Sequence, residues 1–184
     1  MTEIASKSQL RMSFLRVALV TVPAVLLLGI LSGQLAGSGD GNRWFEALEK
    51  PAPMPPGWLF GLVWPILYVL LGLVLAMLIH ARGAAGRPRV LALYGVGLAL
   101  NLAWSPVFFA WHMVDVAMSI VAAMAVVTAA LVPLAWRIRP LGGFLLLPYL
   151  GWLVFAAALN FEILRLNPDA GEVAPEPSGT DIVL

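Results

Sequence analysis

Lys50–Tyr68 reads KPAPMPPGWLFGLVWPILY. Proline fixes φ and removes a backbone donor, so the ladder Pro51, Pro53, Pro55, Pro56 cannot be helical. It is expected to lie as a stiff, extended strap. Pro55–Pro56 suits a helix start, where the missing N–H is not needed. Beyond it, Phe60, Trp64 and Tyr68 recur every fourth residue and, at 100° per residue, fall within about 80° of one another. A rigid strap thus leads into a helix with an aromatic stripe. Such a stripe is either one wall of a pocket or an interfacial belt that anchors the helix in a membrane.

Composition decides the surroundings of that helix. The chain has 184 residues, 61% hydrophobic and 11% charged, against about 25% charged in a soluble domain. Five apolar runs, 14–36, 58–80, 90–110, 116–136 and 141–164, are each long enough to cross a hydrocarbon core of roughly 30 Å. The expected fold is all-α and integral to the membrane: a five-transmembrane-helix bundle over 14–166. A polar N-terminal tail (1–13), a polar, proline-rich connection (37–57) and an acidic Pro/Gly-rich tail (167–184) complete it; both tails are expected to be loose or disordered. The first run has signal-peptide flavour, but it exceeds an h-region of roughly 7–15 residues, which favours a retained helix.

Five spans put the termini on opposite sides. Lys7, Arg11 and Arg16, then Arg82, Arg87 and Arg89, then Arg137 and Arg139 all fall on one side. The positive-inside rule makes that side, with the N-terminus, cytoplasmic in a plasma-membrane-type bilayer, and the strap and C-terminus face outward.

Several functions are excluded or disfavoured. A net charge of +1 gives no reason to expect nucleic acid. No cysteine is present, which removes disulfides, thiolate nucleophiles and Cys-ligated metal. His80 and His112 sit near helix ends, and a metal site wants several convergent donors, so neither metal nor cofactor is expected. No carboxylate pair, Ser–His–Asp set or phosphate loop can be assembled. The acids lie in loops, tail or helix ends, which disfavours a proton-coupled transporter with an intramembrane carboxylate.

Each span carries one proline: Pro23, Pro65, Pro106, Pro133 and Pro148. A membrane proline frees a carbonyl that neighbours must satisfy, and bent helices enclose space more readily than straight ones. In the third span Tyr94, Gly97, Asn101, Trp104 and Phe108 share one face. Gly95, Ala99 and Ala103 form a small-residue ridge on the opposite one, suited to close approach of another helix or a second protomer. Asn101, an amide at mid-membrane depth, must be bonded; its partner is either another helix, with the carbonyl released by Pro106 one option, or a ligand. In the fifth span Tyr149, Trp152, Ala156 and Asn160 share a face, and Ala156 leaves room in it. The fourth span carries no aromatic over Val116–Pro133 and reads as a packing or lipid-facing helix. Three convergent aromatic faces with few polar groups suit a flat, apolar, aromatic ligand.

Three segments carry a resemblance: Trp44–Tyr68 (W-x5-KP-x3-PP…VW-x2-LY), Asn101–Phe109 (N-x2-W-x-PVFF) and Pro148–Asn167 (PYL-x-W-x6-LN…LN). In this order, with five-span spacing, they are similar to the TspO/MBR family, which includes tryptophan-rich sensory proteins and the mitochondrial translocator protein. The resemblance implies a five-helix bundle, usually a homodimer, that binds porphyrins and haem-like tetrapyrroles; some members bind cholesterol. It implies that Trp64, Asn101, Trp152 and Ala156 line the pocket and that the Pro51–Pro56 strap lids it. It also implies that Trp64 and Trp152 match tryptophans tied to light-dependent porphyrin breakdown. Two features depart from the pattern. Ala52–Pro53–Met54 stands where many members place an aromatic in the strap, and the sterol-type pattern ending at Arg165 has Phe161 where tyrosine is wanted. Three functions follow as expectations: a tetrapyrrole-binding sensory protein first, then a porphyrin-degrading enzyme or a transporter of tetrapyrrole or sterol.

Overall fold

The computed structural model describes residues 7–39, 41–52 and 54–173. Its elements are α1 (Lys7–Leu35), α2 (Arg43–Ala47), α3 (Gly57–His80), α4 (Arg87–Ser105), a π-helical turn (Pro106–Ala110), α5 (Val114–Ile138) and α6 (Pro140–Leu166). A single 3₁₀ turn, Ala170–Glu172, follows. Five of these segments are long and apolar enough to cross a membrane, with α4 and its π turn forming one. The chain is therefore an all-α, multi-pass integral membrane protein.

Helix boundaries depart from the sequence reading in instructive ways. Residues 8–13, expected to be loose, belong to α1. Ser8–Ser13 contains no breaker and several good helix formers, so a helix nucleated in the apolar run propagates back through it. The connection between the first two spans contains α2, capped by Asn42, whose side chain accepts from the Phe45 N–H at 2.8 Å. The strap is not straight: the Met54 N–H bonds the Pro51 carbonyl at 3.0 Å, closing a turn. Pro53 lies outside the described residues. Pro56 has φ −62° and ψ 146° and immediately precedes α3, as a pre-set helix entry should.

Asn167, expected to open a disordered tail, is buried, and the chain as far as Val173 is ordered against the bundle. Residues 174–184 of that tail, and 1–6 of the other, lie outside the described ones.

The helices form a closed ring in the order α1, α3, α6, α5, α4. On α5 the buried positions are Val114, Ala117, Val121, Met124, Thr128, Leu131 and Ala135. They alternate in steps of three and four, the seam of a left-handed helix pair, and they face α4 and α6. This confirms a packing role for the fourth span. Between α1 and α3 the backbones nearly touch. A Cβ at Gly72 would lie 2.6 Å from the Val22 Cα, and the Thr21 hydroxyl donates to the Gly72 carbonyl at 2.9 Å.

Proline chemistry resolves one expectation. Pro106 cannot donate to the Leu102 carbonyl, and it is the Ser32 hydroxyl of α1, not Asn101, that fills the vacancy at 2.6 Å. The backbone beyond Pro106 widens into the π turn, an irregularity favoured where the normal ladder is interrupted. Pro23, Pro133 and Pro148 are exposed on the outer surface. Of the five span prolines, only Pro65 lines the interior cavity.

An aromatic cavity under the strap

The cavity measures about 600 Å³ and lies at the strap end of the bundle. Sites for drug-sized ligands usually enclose about 300–1,000 Å³. Its walls come from the C-terminal part of α1, the N-terminal half of α3, the junction of α4 with the π turn, and the C-terminal half of α6. Ser38, Gly39, Phe45, Glu46, Lys50, Met54 and Pro55 of the connecting loop border it at the strap end.

On α3, Phe60, Trp64 and Tyr68 all face the cavity, as their fourfold spacing predicts. Trp64 and Tyr68 stack with centroids 5.6 Å apart. The Tyr68 ring lies back against Gly29, where a Cβ would come within 2.2 Å of it. This is a second place where only glycine fits. From α6, Trp152 meets Trp64 edge-on at 6.4 Å and 88°, and Phe60 at 5.6 Å and 69°. The Trp152 indole N–H is buried and has no hydrogen-bond partner. A buried donor left unpaired costs about 1–3 kcal/mol, so it is ready to accept a partner. Ala156 lines the cavity one turn on, and its small side chain leaves the volume open.

The π turn supplies the third wall. Trp104 and Phe108 stack at 5.0 Å and 18°, and Phe109 meets both edge-on. The Trp104 indole donates to Asn160 Oδ1 at 3.2 Å, while the Asn160 amide donates to the Val114 carbonyl at 3.1 Å. Asn160 thus fixes the Trp104 ring while being 2% exposed.

Three expected lining residues are elsewhere. The Tyr94 hydroxyl donates to the Leu71 carbonyl at 3.0 Å, in the packed part of the bundle. Asn101 donates to the Tyr149 hydroxyl at 2.9 Å, and both are buried between α4 and α6. Each shares a helix face with cavity residues but sits at least three residues deeper, where the helices close. Asn101 therefore meets another helix rather than open space, and its Oδ1 has no partner. Of the strap prolines, Pro55 lines the cavity. Pro51 is buried outside it, and Pro56 caps α3. Gly95, Ala99 and Ala103 are exposed on α4 and do not border the cavity.

Sequence reasoning missed the α1 wall (Gly29, Ile30, Gly33, Gln34) and the loop residues Phe45, Glu46 and Lys50. The Lys50 ammonium donates to the Phe45 and Leu48 carbonyls and sits 4.4 Å over the Phe45 ring. Burial lowers its pKa from the usual lysine value, and the Glu46 carboxylate pulls the other way. Among the described residues no cluster of acids and histidines could hold a metal.

A match to the TspO/MBR family model covers residues 20–166, four-fifths of the chain: the C-terminal part of the first span and the whole of the other four. The chain belongs to the TspO/MBR family. It is 38% identical over 159 residues to the translocator protein of Bos taurus, covering 79% of this chain and 90% of that one. To the tryptophan-rich sensory protein of Cereibacter sphaeroides it is 36% identical over 126 residues, 68% of this chain and 78% of the relative. To protein CrtK of Rhodobacter capsulatus it is 34% identical over 131 residues, 69% and 80%. Family membership accounts for the three motifs at once. The geometry adds that two of them, around Trp64 and Trp104, and the C-terminal part of the third wall a single space.

Proposed function

We propose that this protein binds a porphyrin or haem-like tetrapyrrole in the cavity beneath the strap and serves a sensory or regulatory role. One observation carries the reading: rings from three separate helices, Phe60 and Trp64, Trp104 and Phe108, and Trp152, border one apolar space of about 600 Å³. Flat π-faces in edge and offset arrangements favour a planar aromatic guest. The polar groups gather toward the strap, where Gln34, Ser38, Glu46 and Lys50 would meet the polar edge of such a molecule. The N-terminus is cytoplasmic and the strap faces outward, from the arginine distribution. The exposed Gly95–Ala99–Ala103 ridge would join two protomers as a homodimer. Sterol is a secondary ligand class, supported by resemblance alone.

Titrating a porphyrin dicarboxylate into the protein in nanodiscs tests the reading. Saturable quenching of tryptophan fluorescence is expected, and linear, non-saturating quenching equal to that of empty nanodiscs would overturn it. A second reading, light- and oxygen-dependent breakdown of the bound porphyrin, is favoured by Trp64 and Trp152 standing edge-on within the wall. Bleaching of bound porphyrin under illumination, unchanged when both are phenylalanine, would end it.

A further inference from the structure

The loop that carries the strap begins on positive-φ glycines and is latched near its middle. Gly37, Gly39 and Gly41 hold φ values of 65°, 112° and 97°, which glycine adopts freely. The latch is made by residues after the last span. The Asn167 side chain accepts the Glu49 N–H at 2.8 Å and donates to the Glu49 carbonyl at 3.0 Å, taking both backbone groups of one residue. It also donates to the Ile163 carbonyl at 2.8 Å, which ties it to the end of α6. Five residues before Glu49, the Trp44 indole donates to the Ala170 carbonyl at 2.8 Å, and its ring stacks on His112 at 4.2 Å. Asn167 is 9% exposed and Trp44 3%. Lys50, which borders the cavity, follows Glu49 directly, and Met54 and Pro55 come next.

We propose that Asn167 and Trp44 are positioning residues that clasp the strap over the cavity, so that release of the Asn167–Val173 segment gates ligand exchange. The proposal rests on the reading of this cavity as a ligand site. Neither residue lines the cavity, so neither touches a guest. The clasping segment is short, with one 3₁₀ turn and one buried apolar residue, Ala170. Segments held by so few contacts open locally without unfolding the remainder. An open strap admits and frees the guest alike, so the clasp slows both directions.

Two measurements test this. In stopped-flow binding of a porphyrin dicarboxylate to nanodisc-embedded protein, Asn167→Ala should raise the association and dissociation rates together. The expected rise is roughly tenfold, the order set by two lost hydrogen bonds, and Kd should move less than either rate. Trp44→Phe keeps the ring and loses one bond, so roughly threefold is expected. Glu162→Gln, which breaks the exposed pair with Arg165, should change neither rate. A variant that merely loosened the fold would lose binding amplitude and would not bind faster; that outcome, or unchanged rates, overturns the clasp.

The second measurement needs no ligand. The chain has no cysteine, so Ser105→Cys puts a single thiol in the cavity wall. Its labelling by a membrane-impermeant maleimide should accelerate when Asn167→Ala or Trp44→Phe is added. Equal labelling rates overturn the clasp whatever porphyrin does. Faster labelling in a protein that binds no porphyrin leaves the clasp standing and removes the ligand reading instead.

Discussion

Toward the arginine-bearing end, α3, α5 and α6 meet through Leu71, Val74, Leu78, Leu131, Ala135 and Leu146, each at most 4% exposed. Toward the strap end, α3 and α6 part around about 600 Å³ walled by tryptophan and phenylalanine. The helices are the same; the side chains at their facing positions are not. Aliphatic residues in the closed half pack to almost no exposure, as in a close-packed interior. In the open half, rigid rings prop one another edge-on or stacked, and Gly61 and Ala156 withhold volume that would narrow the space beside them. Packing density here follows residue shape more than hydrophobicity, since both halves are apolar.

Substitutions can break or sharpen this contrast. The largest effect is expected from Leu146→Ala. Leu146 is fully buried in the closed half, and truncating such a leucine costs about 2–5 kcal/mol. Thermal unfolding in detergent would read the loss, and an unchanged midpoint would mean the closed half is not close-packed.

Next comes Gly72→Ala, whose new methyl would meet the Val22 backbone. Overpacking of this kind costs about 1–3 kcal/mol, and the α1–α3 contact should loosen. Tyr149→Phe is smaller: it leaves the Asn101 amide without its acceptor, a cost of about 1 kcal/mol. Porphyrin affinity should stay unchanged, because neither residue borders the cavity. A tenfold loss of affinity would restore Asn101 to the site. The smallest effect belongs to Gly61→Ala. Nothing lies within 4 Å of a Cβ there, so the unfolding midpoint should hold, in contrast to Gly72.

Much of this division was legible beforehand, because helical periodicity reports which face a residue occupies. Phe60, Trp64, Trp104, Phe108, Trp152 and Ala156 were all placed facing inward, and they border one space. Periodicity does not report depth along the bundle. Tyr94, Asn101 and Tyr149 share those faces and lie where the helices have already closed. The α1 wall escaped notice because glycines and Gln34 carry no aromatic mark. The ordered start of the C-terminal segment escaped for another reason. Its composition is that of a loose tail, and its placement depends on pairings such as Glu49 with Asn167 and Trp44 with Ala170, more than a hundred residues apart.

The central claim is that the open half holds its guest in volume that Ala156 leaves empty. Ala156→Phe tests it most directly, with porphyrin affinity and thermal midpoint measured on the same nanodisc preparation. The account predicts at least a tenfold loss of affinity, the order expected when a ring displaces a buried aromatic contact, with the midpoint held or raised. Undiminished affinity in a folded Ala156→Phe protein would contradict it.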